Sequence, residues 1–113
     1  MEVGALGDDP VEKYARLFNQ GHFFEAHEVL EETWKQSSGA DREILQGLIQ
    51  VAAAMVHLQR GTRAGAEELL QKLPVRNLEK VESWRGIRTA RLFHDVLACL
   101  KEASGWPRLD FLK

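Results

Sequence analysis

The feature that most restricts the fold of this chain is a helix-ending pattern that occurs twice, forty residues apart, as FNQGH at residues 18–22 and LQRGT at residues 58–62. The same three residue types follow each glycine at the same spacing: Ala26, Glu28 and Leu30 in the first copy, and Ala66, Glu68 and Leu70 in the second. A glycine that ends one helix and a small alanine in the next are typical of two helices joined by a tight turn. The repeat therefore predicts two antiparallel αα-hairpins.

Capping and breaking residues predict where the helices begin and end, and no stretch alternates in the way that a strand requires. The expected helices run from the cap Asp9 to about Asn19, from Phe23 to about Gln36, from the cap Asp41 to about Arg60, from the cap Thr62 to Leu73 (where Pro74 stops the helix) and from the cap Thr89 to about Ala103. These signals predict an all-α fold, a compact bundle of about five helices built from two antiparallel αα-hairpins plus a C-terminal helix. We expect one domain over residues 1–113, with a flexible N-terminus at 1–9 and a C-terminal tail at 104–113. The tail contains Trp106, Leu109 and Phe111, which should fold back on the core or cover a partner.

Bulk composition excludes several classes of protein. The only cysteine is Cys99, so no intrachain disulfide can form, and the N-terminus lacks the basic and apolar regions of a signal peptide. The most apolar stretch, residues 47–58, is too short to span a membrane. A net charge of −2 and a pI of about 6.1 argue against nucleic-acid binding. We therefore expect a cytoplasmic protein without a membrane or nucleic-acid partner.

Residues 27–31 read His-Glu-Val-Leu-Glu, an HExxE motif one residue type away from the His-Glu-x-x-His helix of zinc peptidases. On a helix with 100° per residue, His27 lies near the middle of the apolar face that also holds Trp34. Glu31 follows His27 by one turn, whereas Glu28 points to solvent. The pair that geometry predicts is therefore His27 with Glu31, although the peptidase analogy would make Glu31 a metal ligand and Glu28 a general base.

The third predicted helix is apolar over most of its circumference, except for a polar stripe formed by Gln46, Gln50 and His57. We expect this stripe to meet His27 and Glu31 inside the bundle, because buried donors and acceptors need partners. Together these side chains form a predicted internal polar site, and its ligand-binding candidates are His27, Glu28, Glu31, Trp34, Gln46, Gln50 and His57.

The motif Ala-His-Glu-x-Leu-Glu-x-x-Trp at residues 26–34, Gln-Gly-Leu-Ile-Gln at 46–50 and His-Leu-x-x-Gly at 57–61 resembles the family called domain of unknown function 309. The resemblance implies a small all-helical protein of bacterial or archaeal type and no established activity. One departure is Thr62, which follows Gly61 where that family typically has asparagine. Threonine is also a competent helix cap, so we expect only a local change.

Three interpretations of the polar site stay open. The favoured one is a structural hydrogen-bonded pair, since buried polar groups are usually satisfied by their neighbours. The second is a pocket for a small molecule or anion, in which His27 or Glu31 accepts a proton and Gln50 and His57 orient the ligand. The third is a metal-dependent, hydrolase-like site with His27, Glu31 and His57 as ligands. A helical module that binds a protein partner is a further alternative, and the residues do not decide whether the chain is an enzyme.

Overall fold

A computed structural model describes residues 9–102 of the chain. Within this range the secondary structure consists of α1 (Pro10–Asn19), α2 (Phe23–Lys35), α3 (Gly39–Gln59), α4 (Arg63–Leu70), α5 (Leu73–Arg76), a 3-10 turn (Asn77–Lys80) and α6 (Thr89–Glu102). The predicted all-α fold is thus confirmed. Residues 1–8 of the expected N-terminal segment and the whole of the expected 104–113 tail lie outside the described residues.

The forty-residue repeat forms the same turn twice. Gly21 and Gly61 have φ angles of +82° and +81°, in the left-handed region that glycine adopts at least cost. In each turn the amide after the glycine donates to the carbonyl five residues earlier, at 2.9 Å in the first turn and 2.8 Å in the second. This is the Schellman arrangement of a helix end, and it makes α1–α2 and α3–α4 antiparallel hairpins.

The core is arranged around α3, the longest helix, which packs against α2, α4, α5 and α6. The fully buried positions of α3 are Leu45, Gly47, Leu48, Val51, Ala52, Ala54 and Met55. The alanines of the repeat, Ala26 and Ala66, are also fully buried, so α2 and α4 can both pack closely. None of the helices in residues 9–102 has the length and apolar content needed to cross a bilayer.

The start of α3 differs from the expectation that Asp41 caps it. The helix begins at Gly39, so Asp41 lies in its first turn. Its carboxylate accepts hydrogen bonds from Trp84 Nε1 at 3.0 Å and from the Arg85 guanidinium at 3.1 Å. Asp41 therefore ties the loop before α6 to the start of α3, a tertiary contact that local sequence does not reveal.

The end of α4 also differs from the sequence prediction. The helix ends at Leu70 rather than Leu73, and Pro74 lies in the first turn of α5. Proline has no amide hydrogen to donate, so it fits a first helical turn as well as it stops a preceding helix. Thr62 does precede α4, but its hydroxyl donates back to the His57 carbonyl at 3.2 Å instead of capping α4.

Candidate ligand-binding groove between α2 and α3

His27 lies at the margin of the core. Its side chain is 24% exposed, and its Nε2 atom is 3.6 Å from Oε2 of Glu31, which is 49% exposed. The opposite ring nitrogen, Nδ1, is buried. The predicted His27–Glu31 pair therefore forms at the surface of α2, and only one edge of the imidazole faces the interior.

One face of α3 lies opposite this part of α2. Ala53, Val56, His57 and Arg60 follow one another at the i, i+3, i+4 and i+7 spacing of a helix face, and with Phe24 and His27 they line a cavity of about 170 Å³. We call this cavity the α2–α3 groove. Both His27 and His57 line it, but it opens to solvent and is not the internal site expected.

Four groove residues were not among the sequence candidates: Ala53 and Val56, which are partly buried, and Phe24 and Arg60, which are exposed. Phe24 is 50% exposed, and its ring lies nearly parallel to that of His27, with 15° between the planes and 6.2 Å between the centroids. Arg60 is exposed at the end of α3. Each residue lies one helical turn from a groove histidine, Phe24 before His27 and Arg60 after His57, and this spacing is the sequence signal that could have identified both.

The orientation of His57 depends on Gly65 in α4. A Cβ atom at Gly65 would lie 2.7 Å from Nδ1 and 2.8 Å from Cε1 of the imidazole. The His57 ring thus packs against the α4 backbone, in space that any other residue at position 65 would fill.

Three buried polar side-chain atoms have no hydrogen-bond partner within the described residues: His27 Nδ1, Trp34 Nε1 and Gln50 Oε1. All three belong to α2 and α3. The expected self-satisfied cluster of His27, Glu31, Gln50 and His57 therefore does not form. A buried polar atom without a partner typically costs about 1–3 kcal/mol, and the three such atoms of the described residues all lie on these two helices.

The remaining candidates lie outside the groove. Trp34 packs against the core, and the Arg42 guanidinium lies 4.1 Å above its ring centroid. Gln46 is partly buried on α3, and Glu28 is exposed on α2, as helix geometry predicted.

The metal hypothesis requires a third ligand beside His27 and Glu31. Across residues 9–102, no three His, Cys, Asp or Glu side chains are grouped closely enough to hold a metal ion. His57 therefore lines the groove but does not complete a ligand set with the other two.

A larger cavity of about 490 Å³ lies between α4 and α6, lined by Arg63, Glu67, His94, Leu97, Ala98, Leu100 and Lys101. Several of its charged residues already have partners. Arg63 Nε is 3.2 Å from Glu67, and His94 Nε2 is 3.5 Å from Glu79. No buried unpartnered side-chain atom of residues 9–102 lies on α4 or α6, which distinguishes this cavity from the α2–α3 groove.

The fold is that of a small protein of paired helical hairpins with a solvent-open groove between its second and third helices. The chain belongs to the family described as "Domain of unknown function (DUF309)", whose model matches residues 11–69. This range contains all six groove residues and Gly65, and the resemblance noted from the sequence is confirmed. The chain is also similar to the uncharacterized protein YpuF of Bacillus subtilis (strain 168), with 43% identity over 49 residues, which are 42% of this chain and 28% of YpuF.

Proposed function

We propose that the chain is a ligand-binding protein and that the α2–α3 groove is its binding site. The observation that carries this proposal is the convergence of His27 and His57, from two different helices, on one groove beside the half-exposed ring of Phe24. Binding sites commonly combine aromatic walls with a few polar groups in this way. The buried, unpartnered Nδ1 atom of His27, a groove residue, supports a site at which stability is not optimised.

A purely structural role for the His27–Glu31 pair is less well supported. Both side chains are partly exposed, and their closest nitrogen–oxygen distance is 3.6 Å. An ion pair of this kind contributes about 0–1 kcal/mol to stability, and solvent screens it further. A role in fixing the packing of α2 therefore does not account for a histidine at position 27.

The proposal includes a cytoplasmic location, which the single cysteine supports, because a lone thiol suits a reducing compartment. Binding to a protein partner through the helical hairpins or the apolar tail stays a separate prediction. Deletion of residues 106–113 should then change the oligomeric state, and an unchanged oligomeric state would count against it.

The binding proposal is tested by titrating ¹⁵N-labelled protein with a library of small fragments and following the amide resonances. We expect some fragments to shift the resonances of Phe24, His27 and His57 saturably. His27→Ala and His57→Ala should weaken these shifts and leave the melting temperature nearly unchanged. His94→Ala, which removes an imidazole outside the groove, is the matched control.

Two results would contradict the proposal. One is a library in which no fragment perturbs the groove resonances. The other is a His27→Ala variant whose main effect is a lower melting temperature, because that result would make the His27–Glu31 pair structural.

A further inference from the structure

We propose that the α2–α3 groove selects a small carboxylic acid with an apolar or aromatic body, held through Arg60 and His57. This inference names a ligand class and rests on the function proposed above.

The charge of the groove lining favours an anionic group. Its six residues include one arginine, two histidines and no carboxylate. Arg60 follows His57 by three residues, so the two side chains leave the same face of α3 and can address one ligand group together. A guanidinium presents a planar fork of donors that matches the two oxygens of a carboxylate.

His57 supplies a second polar group on the same side. Gly65 of α4 lies against the ring, with Nδ1 and Cε1 as the nearest atoms, and the same ring lines the groove. An imidazole N–H donates to a carboxylate oxygen, as the Arg60 guanidinium does.

Size and polarity limit the rest of the ligand. Phe24, Ala53 and Val56 supply apolar wall, and the cavity of about 170 Å³ is smaller than the roughly 300–1,000 Å³ of pockets for drug-sized molecules. A single ring or a short alkyl chain fits this space.

The carboxylates of α2 repel an anionic ligand, and their positions determine where in the groove the charged group of the ligand lies. Glu28 and Glu31 are both exposed and neither lines the groove, but Glu31 is 3.6 Å from His27 Nε2. The ligand carboxylate therefore belongs at the Arg60 and His57 end, with its apolar body toward Phe24 and away from Glu31.

Three probes of similar size separate the possible ligand charges: benzoate, benzylamine and benzyl alcohol. Each is titrated into ¹⁵N-labelled full-length protein at constant ionic strength, and the amide shifts of Phe24, His57 and Arg60 are followed. We expect benzoate to bind most tightly. Arg60→Gln should weaken benzoate roughly tenfold, the order expected for losing one charged hydrogen bond, and should change benzyl alcohol little.

The control variant is Arg63→Gln, which removes an exposed arginine that faces the other cavity. It should leave benzoate binding unchanged. An equal loss in Arg60→Gln and Arg63→Gln would overturn the inference, since the effect would then be one of overall charge. Tighter binding of benzylamine or benzyl alcohol would overturn the carboxylate assignment but support a binding groove, and no binding by any of the three probes would overturn both.

Discussion

The phenol of Tyr14 is fully buried, and its hydroxyl donates a 2.7 Å hydrogen bond to the backbone carbonyl of Leu48 in α3. Burial raises the pKa of Tyr14, so the side chain stays neutral and acts as a donor at every physiological pH. One polar atom thus joins α1 to the central helix in otherwise apolar surroundings.

Tyr14→Phe removes this hydroxyl and keeps the ring that packs 5.8 Å from Phe18, measured between ring centroids. We expect the free energy of unfolding to fall by about 1–2 kcal/mol, because a buried hydrogen bond is lost without a compensating contact. Urea denaturation followed by circular dichroism measures the change. A variant as stable as the parent would show that the bond to Leu48 contributes nothing.

Asp41 is the described residue whose contribution to folding stability depends most clearly on pH. Its hydrogen bond from Trp84 is the main cause that lowers its pKa; desolvation opposes this, and the charge and hydrogen bond of the Arg85 guanidinium lower the pKa further. Because the folded pKa lies below the unfolded value of about 4, the stabilising contribution is complete above that value. It is lost as the pH falls through the folded pKa.

Asp41→Asn should therefore reduce the stability difference between neutral and acidic solution. The measurement is the urea midpoint of both proteins at several pH values from neutral to strongly acidic. Asp95→Asn is the matched control, since Asp95 pairs with Arg91 only at 3.8 Å on the exposed face of α6. Identical pH profiles for the parent and Asp41→Asn would contradict the assignment.

At the scale of the elements, the two hairpins share a backbone turn but differ in the side chains that they place beside it. Position 27 in the first hairpin is histidine and the equivalent position 67 is glutamate, which pairs with Arg63 at 3.2 Å. The hairpin as an element therefore does not require the groove histidine. The lining of the groove depends on the side chains of α2 and α3, and on Gly65 in α4, which packs against His57.

Gly65→Ala tests the packing of α4 against His57. The new Cβ would lie 2.7 Å from the imidazole, so the ring must move, while alanine favours the helix by about 1 kcal/mol. We expect a stability change smaller than about 1 kcal/mol together with a clear shift of the His57 ring resonances and weaker binding in the groove.

The matched control for this variant is Ala64→Gly, at an exposed position of the same helix. It should lower stability by about 1 kcal/mol and leave the His57 resonances in place. Unchanged His57 resonances in Gly65→Ala would mean that the ring does not rest on position 65.

At the scale of the whole molecule, Cys99 can report on unfolding, because it is the only cysteine and is buried in α6. Burial raises the pKa of its thiol, so less of it is thiolate at a given pH. We expect slow reaction with Ellman's reagent in the folded protein, and the rate should rise with urea along the same curve as the loss of helical circular dichroism. Fast reaction before that transition would show that α6 separates from the rest of the fold.

Much of the fold was predictable because its signals are local. These signals are the Asp9-Pro10 start of α1, the left-handed Gly21 and Gly61 and the buried alanines of the repeat. Each of them determines the structure of residues close to it in the sequence. The boundaries that were wrong depend on distant partners. Asp41 looked like a cap because aspartate often is one, but Trp84 and Arg85 take its carboxylate.

The sequence by itself determined the two hairpins, the central position of α3, and the presence of His27 and His57 on faces that could meet. Only the tertiary structure decided how those faces meet. Helix periodicity specifies the direction of a side chain from its own axis and not the rotation or distance of the neighbouring helix. That relative placement opens the groove beside His27 and His57 to solvent and adds Phe24 and Arg60 to its lining. It also leaves His27 Nδ1 and Gln50 Oε1 without partners.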